Sequence, residues 1–385
     1  MGESVNRPAM PSERIVALDV IRGFAMFGVL IAYCMWSLGT LPAEAYTPLD
    51  NALENIVAFA VDSKFYTILA FLFGLGFQLQ LSRSDAADPD IVRLYRRRLL
   101  VLALIGLVHA LLLRNGDILL PYALTGFLLI PFRCASDRTI LVAALLILLV
   151  PFGARLLWQA SGVAMPERPD LAGAGYLTEN FAWVRYWYAT AILNWPGNLT
   201  LFLFGFYAGR HALVSKVTAD PVVARRILAA GLVGAAGFLF LRARIGAGVP
   251  DAGPSAIQGL AISLLFSFHA WSLAVAYMAM LLLAGRTRSG ASFLRPLASV
   301  GRMALTNYLM QALLLVPICL AFGLFDRFTP TIALTLAIAI FVLIQMPLSH
   351  FWLSRFDFGP AEWLWRWLTY GRVPTSEKAT AEPAL

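Results

Sequence analysis

The sequence predicts an all-α, polytopic helical membrane protein with about ten transmembrane helices. Of its 385 residues, 59% are hydrophobic and 14% are charged, against roughly 45–50% and 25% in soluble globular proteins. The mean hydropathy of +0.73 comes from apolar runs of about 20 residues, enough for a helix to cross a hydrocarbon core roughly 30 Å thick. The three cysteines have no Cys/His ligand spacing, so neither a disulfide framework nor a metal site is predicted.

The apolar runs are separated by charged or turn-forming segments, and each run predicts one span. In chain order the spans cover 18–38, 56–79, 98–114, 118–133, 139–158, 197–213, 227–243, 257–284, 303–325 and 331–354. The first run is too long for the apolar core of a cleaved signal peptide, so we expect a retained helix. The whole chain, 1–385, is therefore predicted to be a single membrane domain. It would have a segment 1–17, a transmembrane bundle 18–354 and a segment 355–385.

Lysine and arginine fall unevenly on the two sides that an even number of spans defines. Of the 28 basic residues in loops or at span ends, 21 lie on the side of the termini and seven on the other. Cytoplasmic loops carry this excess in membrane proteins, so both termini are predicted to be cytoplasmic. The net charge of +8 is therefore explained by the basic loops that set the orientation in the membrane, and no nucleic acid partner is expected.

One long segment between spans, about 159–196, is predicted to face outward and is rich in aromatic residues. Amphipathic rings are enriched at membrane interfaces, which favours a helix lying in the outer interface, with a lid over a substrate site as the alternative. The rings are Tyr176, Phe181, Trp183, Tyr186, Trp187, Tyr188 and Trp195.

Charged residues within spans cost at least about 2.5–3.5 kcal/mol each on insertion scales, so each one needs a partner or a function. Asp19 and Arg22 are three residues apart at the inner start of the first span, where they can meet on one helix face. A structural ion pair and a role in ligand binding are both compatible with this spacing.

A second group of ionisable residues is predicted nearer the outer side. Asp62 and Lys64 lie roughly 9 and 12 Å below the outer end of the second span, and His109 lies roughly 8 Å below that of the third. Asn115 and Asp117 follow in the tight turn to the fourth span, where Asp117 is placed to cap the next helix. His109 is the strongest candidate for chemistry because acidic residues lie at a compatible depth.

Other polar residues favour structural roles. Asn307 and Gln311, four residues apart at the inner end of the ninth span, form a polar face of the kind that hydrogen-bonds neighbouring helices. His269 lies in mid-span without an acidic neighbour in sequence, and His350 lies near an inner span end where it can reach water, so neither is favoured for catalysis. Nucleotide-binding, GxSxG and HExxH motifs are absent from the sequence, so it gives no support for ATP-driven or metal-based chemistry.

Several motifs resemble the YeiB-like bacterial membrane family, whose members carry a domain of unknown function. The resemblance covers nearly the whole chain. It rests on LDVIRGFA at 18–25, KFY at 64–66, LFGLGF at 72–77, RRLL at 97–100, GDIL at 116–119, GRMALTNY at 301–308, GPAEWLWR at 359–366 and LTYG at 368–371.

The LDxxRGxA motif is also similar to that of membrane acyltransferases of the heparan-glucosaminide acetyltransferase type. This resemblance implies that acyl-CoA or acetyl-CoA is supplied from the cytosol and that a membrane histidine, matched here by His109, performs the transfer. The resulting hypothesis assigns donor binding to Asp19, Arg22, Arg96, Arg97 and Arg98. It assigns catalysis to His109, Asp117, Asp62 and Lys64, and substrate binding to Asn115, Tyr122 and Asn307.

Three functions are compatible with these observations. The first is a transmembrane acyltransferase that moves an acyl group from cytoplasmic acyl-CoA to a hydroxyl or amine of a small-molecule or glycan acceptor near the outer face. The second is a proton-coupled transporter that uses the group Asp62, Lys64, His109 and Asp117 as a relay, and the third is a non-catalytic scaffold. Each implies a multi-pass protein of the bacterial cytoplasmic membrane, with the lipid bilayer as a partner and a second copy of the chain as another candidate.

Overall fold

A computed structural model describes residues 16–38, 40–82, 89–113, 116–164, 166–169, 175–246 and 256–371. Over these ranges the chain is built of helices, and the only β pairing found there is an isolated bridge between Thr40 and Phe328. The predicted all-α membrane fold is confirmed.

Seventeen α-helices are assigned in the described ranges. They are α1 Val16–Ala32, α2 Pro48–Ala60, α3 Lys64–Leu81, α4 Pro89–Leu112, α5 Leu119–Leu129, α6 Asp137–Ser161, α7 Tyr176–Ala189, α8 Ala191–Asn194, α9 Pro196–Arg210, α10 Leu213–Ala219, α11 Pro221–Gly246, α12 Ala256–Ala284, α13 Arg288–Arg302, α14 Ala304–Phe322, α15 Pro330–Ile340, α16 Met346–Arg355 and α17 Pro360–Tyr370. Turns of π-helix extend α1 over Tyr33–Ser37 and join α15 to α16 over Phe341–Gln345.

Seven helical stretches are long and apolar enough to cross a membrane, and each overlaps one of the ten predicted spans. They are Val16–Trp36, Pro48–Leu81, Asp137–Trp158, Pro221–Ile245, Gln258–Ala284, Ala304–Phe322 and Pro330–Arg355. The other three predicted spans fall on α4, α5 and α9, which are helical but carry clustered arginines or have only 11 to 15 residues. The number of ten spans and the side of the termini therefore stay predictions.

The helices differ strongly in how far the rest of the protein covers them. Within the most apolar window of each stretch, 67% of the Val16–Trp36 residues are buried, compared with 11% of the Asp137–Trp158 residues. Helix α1 contacts α3, α12, α13, α14 and α15. It therefore forms the centre of the bundle, and α6 presents its leucines outward as a lipid-facing helix does.

The contact between α1 and α13 explains two glycines in the sequence motifs. A Cβ atom added at Gly23 would lie 1.9 Å from the carbonyl oxygen of Leu297, and one added at Gly301 would lie 1.8 Å from that of Asp19. Only glycine permits such a close backbone approach, which is a common way for membrane helices to associate. The motifs LDVIRGFA and GRMALTNY therefore pack directly against each other.

The second predicted span is interrupted instead of forming one continuous helix. Helix α2 ends at Ala60, and α3 begins at Lys64 after a turn in which Ser63 has a positive φ of 65°. The sequence prediction missed this break because apolar residues continue on both sides of it. A break inside a membrane helix leaves carbonyl groups that must find other donors.

Three side chains donate hydrogen bonds to the carbonyl groups of residues 58–60 at the end of α2. Lys64 Nζ donates to the first at 3.0 Å, His269 Nε2 to the second at 3.0 Å, and Tyr277 OH to the third at 2.9 Å. His269 and Tyr277 come from α12. These three carbonyl groups therefore all have donors, and the hydrogen bonds give both Lys64 and His269 a structural role.

The last described helix, α17, closes the start of α14. Oε1 of Glu362 accepts hydrogen bonds from the backbone N–H groups of Leu305 and Thr306 at 2.7 and 3.1 Å, and Oε2 accepts one from the Thr306 hydroxyl at 2.5 Å. Burial raises the pKa of the Glu362 carboxyl, and the hydrogen bonds from Thr306 and Leu305 oppose that rise. This contact joins the motifs GRMALTNY and GPAEWLWR.

Candidate functional site

The central feature of the candidate site is a buried pair formed by His109 and Asp117. His109 lies in the last turn of α4, and Asp117 lies just before α5. His109 Nδ1 is 3.0 Å from Asp117 Oδ1, and each side chain is only 2% exposed. The contact is short but is not aligned as a hydrogen bond.

Asp117 is held in place by two further donors. Its Oδ2 atom accepts the backbone N–H of Leu120 at 2.7 Å, so the carboxylate caps the start of α5. Its Oδ1 atom accepts the Tyr308 hydroxyl at 3.2 Å. With one oxygen committed to Leu120, the other is directed towards His109.

Tyr308 is a member of this site that the sequence reasoning missed. Its hydroxyl also accepts the backbone N–H of Ile118 at 3.1 Å, and its ring centroid lies 4.9 Å from that of His109. The available signal was its place at the end of the motif GRMALTNY, directly after Asn307. Tyr308 thus links α14 to the turn that carries Asp117.

A cavity of about 500 Å³ opens beside the pair at the end of the bundle predicted to face outward. Both Asp62 and Asp117 line it, together with Ala110, the residue after His109. The rest of its wall is mainly aromatic: Trp36, Tyr66, Trp187, Tyr188 and Trp195. This volume is typical of a site for a small molecule.

The aromatic segment predicted to lie near the outer interface supplies one side of this cavity. Helix α7 is docked on the end of α4, where Asn180 Nδ2 donates to the carbonyl groups of Ala110 and Leu111 at 2.6 and 2.8 Å. The Tyr176 hydroxyl donates to the carbonyl of Leu113. These bonds satisfy carbonyl groups at a helix end and place the ring-bearing segment directly over the candidate site.

Tyr188 faces this site from α7. Its hydroxyl is buried and makes no hydrogen bond with the described residues. Burial and the nearby Asp117 carboxylate raise the pKa of the Tyr188 phenol, so it is a protonated donor at neutral pH. Trp187 and Trp195, on the same segment, also line the cavity.

Asp62 and Lys64 were predicted to belong to one group near His109, but the structure places them in different environments. Asp62 lines the cavity and accepts the Ser63 hydroxyl at 3.4 Å. Lys64 is fully buried, its ammonium group bonded to the carbonyl of Ala58 and 5.6 Å from the ring of Phe266. The structure therefore does not bring Lys64 to the wall of the cavity, and Asn115 lies outside the described residues.

The two other predicted substrate-binding residues lie away from the cavity wall. The Tyr122 hydroxyl donates to the carbonyl of Tyr66 at 2.8 Å. The Asn307 side chain donates to the carbonyl of Met303 at 3.0 Å and to the hydroxyl of Ser349 at 2.9 Å. For Asn307 this is the helix-to-helix hydrogen bonding that its position in the sequence favoured.

At the end of the bundle predicted to face the cytoplasm, Arg22 and Asp19 form the ion pair that their spacing predicted. Arg22 Nη1 lies 2.8 Å from Asp19 Oδ1, and the two side chains are 34% and 14% exposed. The same nitrogen is 3.5 Å from the carbonyl oxygen of Gly301. The pair therefore sits at the contact between α1 and α13, which gives it a structural role.

The predicted arginine cluster divides between two environments. A cleft of about 490 Å³ lies near the start of α4, on the side predicted to be cytoplasmic, and is called the inner cleft; the arginines that line it are Arg93, Arg96, Arg97 and Arg133. Arg98 bonds instead to Gln80, and its guanidinium lies 4.6 Å from the Trp365 ring. The cleft thus collects four positive charges, two of them from positions that had not been assigned to donor binding.

Fold and site together define a polytopic helical membrane protein with a buried His–Asp pair. Residues 208–372 match the family model described as "Protein of unknown function (DUF418)". The uncharacterized protein YxaH of Bacillus subtilis is 31% identical over 94% of this chain and 96% of its own. The uncharacterized protein YeiB of Escherichia coli is 29% identical over 93% and 96%.

These matches show that the chain belongs to the YeiB-like DUF418 family, as the motifs had indicated. A third relative, the uncharacterized 39.9 kDa protein in the amylase 3' region of Bacillus acidopullulyticus, is 29% identical over 95% of this chain and 96% of its own. No solved structure matches the chain.

Proposed function

We propose that this protein is a transmembrane acyltransferase that moves an acyl group from cytoplasmic acyl-CoA to a hydroxyl or amine acceptor held in the outer cavity. The observation that carries the proposal is the buried His109–Asp117 pair beside a cavity large enough for a small molecule. A histidine oriented by a carboxylate is a common arrangement for removing a proton from an acceptor.

The geometry assigns a role to each nitrogen of His109. A carboxylate at Nδ1 favours the tautomer that carries its proton there, which leaves Nε2 as the base. Nε2 is buried and has no hydrogen-bond partner among the described residues. Tyr308, bonded to the same carboxylate oxygen, is a positioning residue for Asp117.

The proposed transfer conserves atoms and charge. Nε2 accepts the proton of the acceptor O–H or N–H as that oxygen or nitrogen bonds to the thioester carbonyl carbon. The carbon–sulfur bond then breaks, and the CoA thiolate takes the proton from the imidazolium. Such general base catalysis typically contributes about 10²–10⁴-fold to the rate.

The inner cleft fits the donor end of this reaction. Its four arginines match the several phosphate groups of CoA, because guanidinium groups bind phosphate oxygens through paired hydrogen bonds. Helix α4 carries three of these arginines and also His109. At 1.5 Å per residue, Arg97 and His109 are about 18 Å apart along the helix, a length of the order that an extended CoA arm spans.

The test uses purified protein in liposomes, with acetyl-CoA as donor and an extract of bacterial envelope small molecules and glycans as acceptor. We expect wild-type protein to release free CoA thiol. His109→Ala should abolish the release but keep acetyl-CoA binding, whereas the double variant Arg96→Gln/Arg97→Gln should weaken binding. His350→Ala, which alters an exposed histidine, is the matched control. Failure of the wild-type protein to bind acetyl-CoA would refute the proposal.

The transporter hypothesis predicts a different outcome in the same liposomes. A relay through Asp62, Lys64, His109 and Asp117 requires Lys64 to exchange protons near His109, yet its ammonium group is bonded to the carbonyl of Ala58. This contact makes the acyltransferase the better supported function. Proton-coupled uptake of a solute without acyl-CoA would instead support transport.

A further inference from the structure

The outer cavity has a distinctive chemical lining. Two carboxylates, Asp62 and Asp117, face five aromatic side chains, and the remaining lining residues are alanine, glycine and proline. Among the described residues of this wall there is no lysine, arginine or histidine. The wall therefore combines negative charge with the electron-rich faces of aromatic rings.

The two carboxylates are not equivalent. Asp117 is balanced by His109, by the N–H of Leu120 and by the hydroxyl of Tyr308. Asp62 accepts one long hydrogen bond, from the Ser63 hydroxyl at 3.4 Å. The ammonium group of Lys64, two residues away, donates to a backbone carbonyl and acts on Asp62 only through the longer-range attraction of their charges. Asp62 therefore presents the less compensated negative charge to the cavity.

We propose that this cavity binds its acceptor through a cationic ammonium group placed between Asp62 and the aromatic wall, while a separate hydroxyl of the same molecule is the group that is acylated. The inference names the acceptor class of the acyl transfer and so rests on the proposed function. Attraction between a cation and an aromatic face is worth about 0.5–2 kcal/mol and increases when the site is desolvated. A carboxylate in the same wall adds to this attraction and selects for charge.

Neutral and anionic ligands fit this lining less well. A neutral ligand would displace water from Asp62 without replacing its interactions, which costs free energy at a partly buried charge. An anion would be repelled by both carboxylates. A cation compensates Asp62 while its carbon atoms contact the rings, so the lining satisfies both parts of such a ligand.

The test compares two probes of nearly identical shape. Choline carries a quaternary ammonium, and 3,3-dimethylbutan-1-ol is its neutral isostere. Calorimetric titration of the full-length protein in detergent, without acyl-CoA, should show choline binding at least about tenfold more tightly, a difference of about 1.4 kcal/mol. Equal affinity for the two probes, or no binding of choline, would overturn the proposal.

Variants locate the selectivity in the wall. Asp62→Asn keeps the shape of the side chain and should remove the preference for choline. Trp187→Leu, at an exposed position of α7, should weaken the binding of choline more than that of its isostere. Asp90→Asn, the same change at an exposed carboxylate of α4 near the inner cleft, should leave both affinities unchanged. If folded Asp62→Asn and Trp187→Leu proteins both retained the full preference, the assignment would be wrong.

The outcomes for binding and for acyl transfer can be separated. Choline binding is measured without a donor, so a cavity with no preference for a cation would refute the acceptor class and leave acetyl-CoA binding and thiol release standing. Cation binding in a protein that never binds acetyl-CoA would refute the acyl transfer while leaving the cationic ligand site intact.

Discussion

Replacing Asp117 with asparagine should inactivate His109 without removing it. In the wild-type structure one Asp117 oxygen accepts the N–H of Leu120 and the other faces His109 Nδ1. The amide of asparagine has one oxygen and one NH₂ group. Because only the oxygen can accept from Leu120, the NH₂ group is turned towards His109. His109 Nδ1 must then act as the acceptor, which moves the histidine proton to Nε2.

The expected loss follows from this change of tautomer. With its proton on Nε2, the histidine has no free nitrogen for the acceptor, and the contribution of the base, about 10²–10⁴-fold in rate, is lost. The stability cost should be about 1–3 kcal/mol, since the cap to Leu120 remains but loses its charge, and the Tyr308 hydroxyl loses the carboxylate oxygen to which it donates. A loss of activity much larger than the loss of stability is therefore the predicted signature.

Two measurements check this prediction. The first is thiol release from acetyl-CoA in liposomes, scaled to folded protein. The second is the nitrogen-15 NMR spectrum of labelled histidine, which separates the two tautomers; with only four histidines in the chain, the His109 signals can be assigned from His109→Ala. Asp137→Asn is the matched control, because Asp137 also contacts a histidine, His211, at 2.8 Å, but at a half-exposed position. Unchanged His109 signals and activity within about threefold of wild type would refute the reasoning.

Three further predictions concern the bundle. Gly301→Ala should destabilise the protein by about 1–3 kcal/mol, because its Cβ would overlap the backbone of α1. The control is Gly76→Ala, which has no atom within 4 Å of the added Cβ and should be neutral or slightly stabilising. Thermal unfolding measures both effects. Glu362→Ala should cost about 2–3 kcal/mol by leaving its hydrogen-bond donors on α14 without an acceptor, and Glu362→Gln should fall between it and wild type. The native Cys134 is exposed but is predicted to face the cytoplasm, so an impermeant thiol reagent should not label it on intact cells. Ser161→Cys in a Cys134→Ser background is predicted to face outward and should be labelled. The opposite pattern would reverse the predicted orientation.

The parts of the site that could be predicted from the sequence are those joined by short stretches of chain. His109 and Asp117 are eight positions apart in the sequence, so the depth of one and the capping position of the other indicated a common location. Tyr308 could not be found in this way, because it is separated from Asp117 by 191 positions and only the packing of α14 brings it there. The same reason explains Arg133, which joins the inner cleft from the 3-10 turn that follows α5.

The role of Lys64 was out of reach for a different physical reason. The depth estimate assumed a continuous helix, in which the lysine would lie at a depth similar to that of His109. The break at Ser63 leaves carbonyl groups that need donors, and Lys64 is one of three side chains that donate to them. Hydrophobic periodicity does not reveal such a break, since the backbone changes direction at a residue with positive φ while the hydropathy of the sequence stays the same.

The cap formed by Glu362 also has a consequence for biosynthesis. Leu305 and Glu362 are 57 residues apart. A ribosome that adds about 5–20 residues per second needs roughly 3–11 s to reach the glutamate after the leucine. Helix α14 is therefore synthesised before its acceptor, and its first N–H groups depend on other partners during that interval. The docking of α17 is thus a late step of assembly that follows synthesis of the spans.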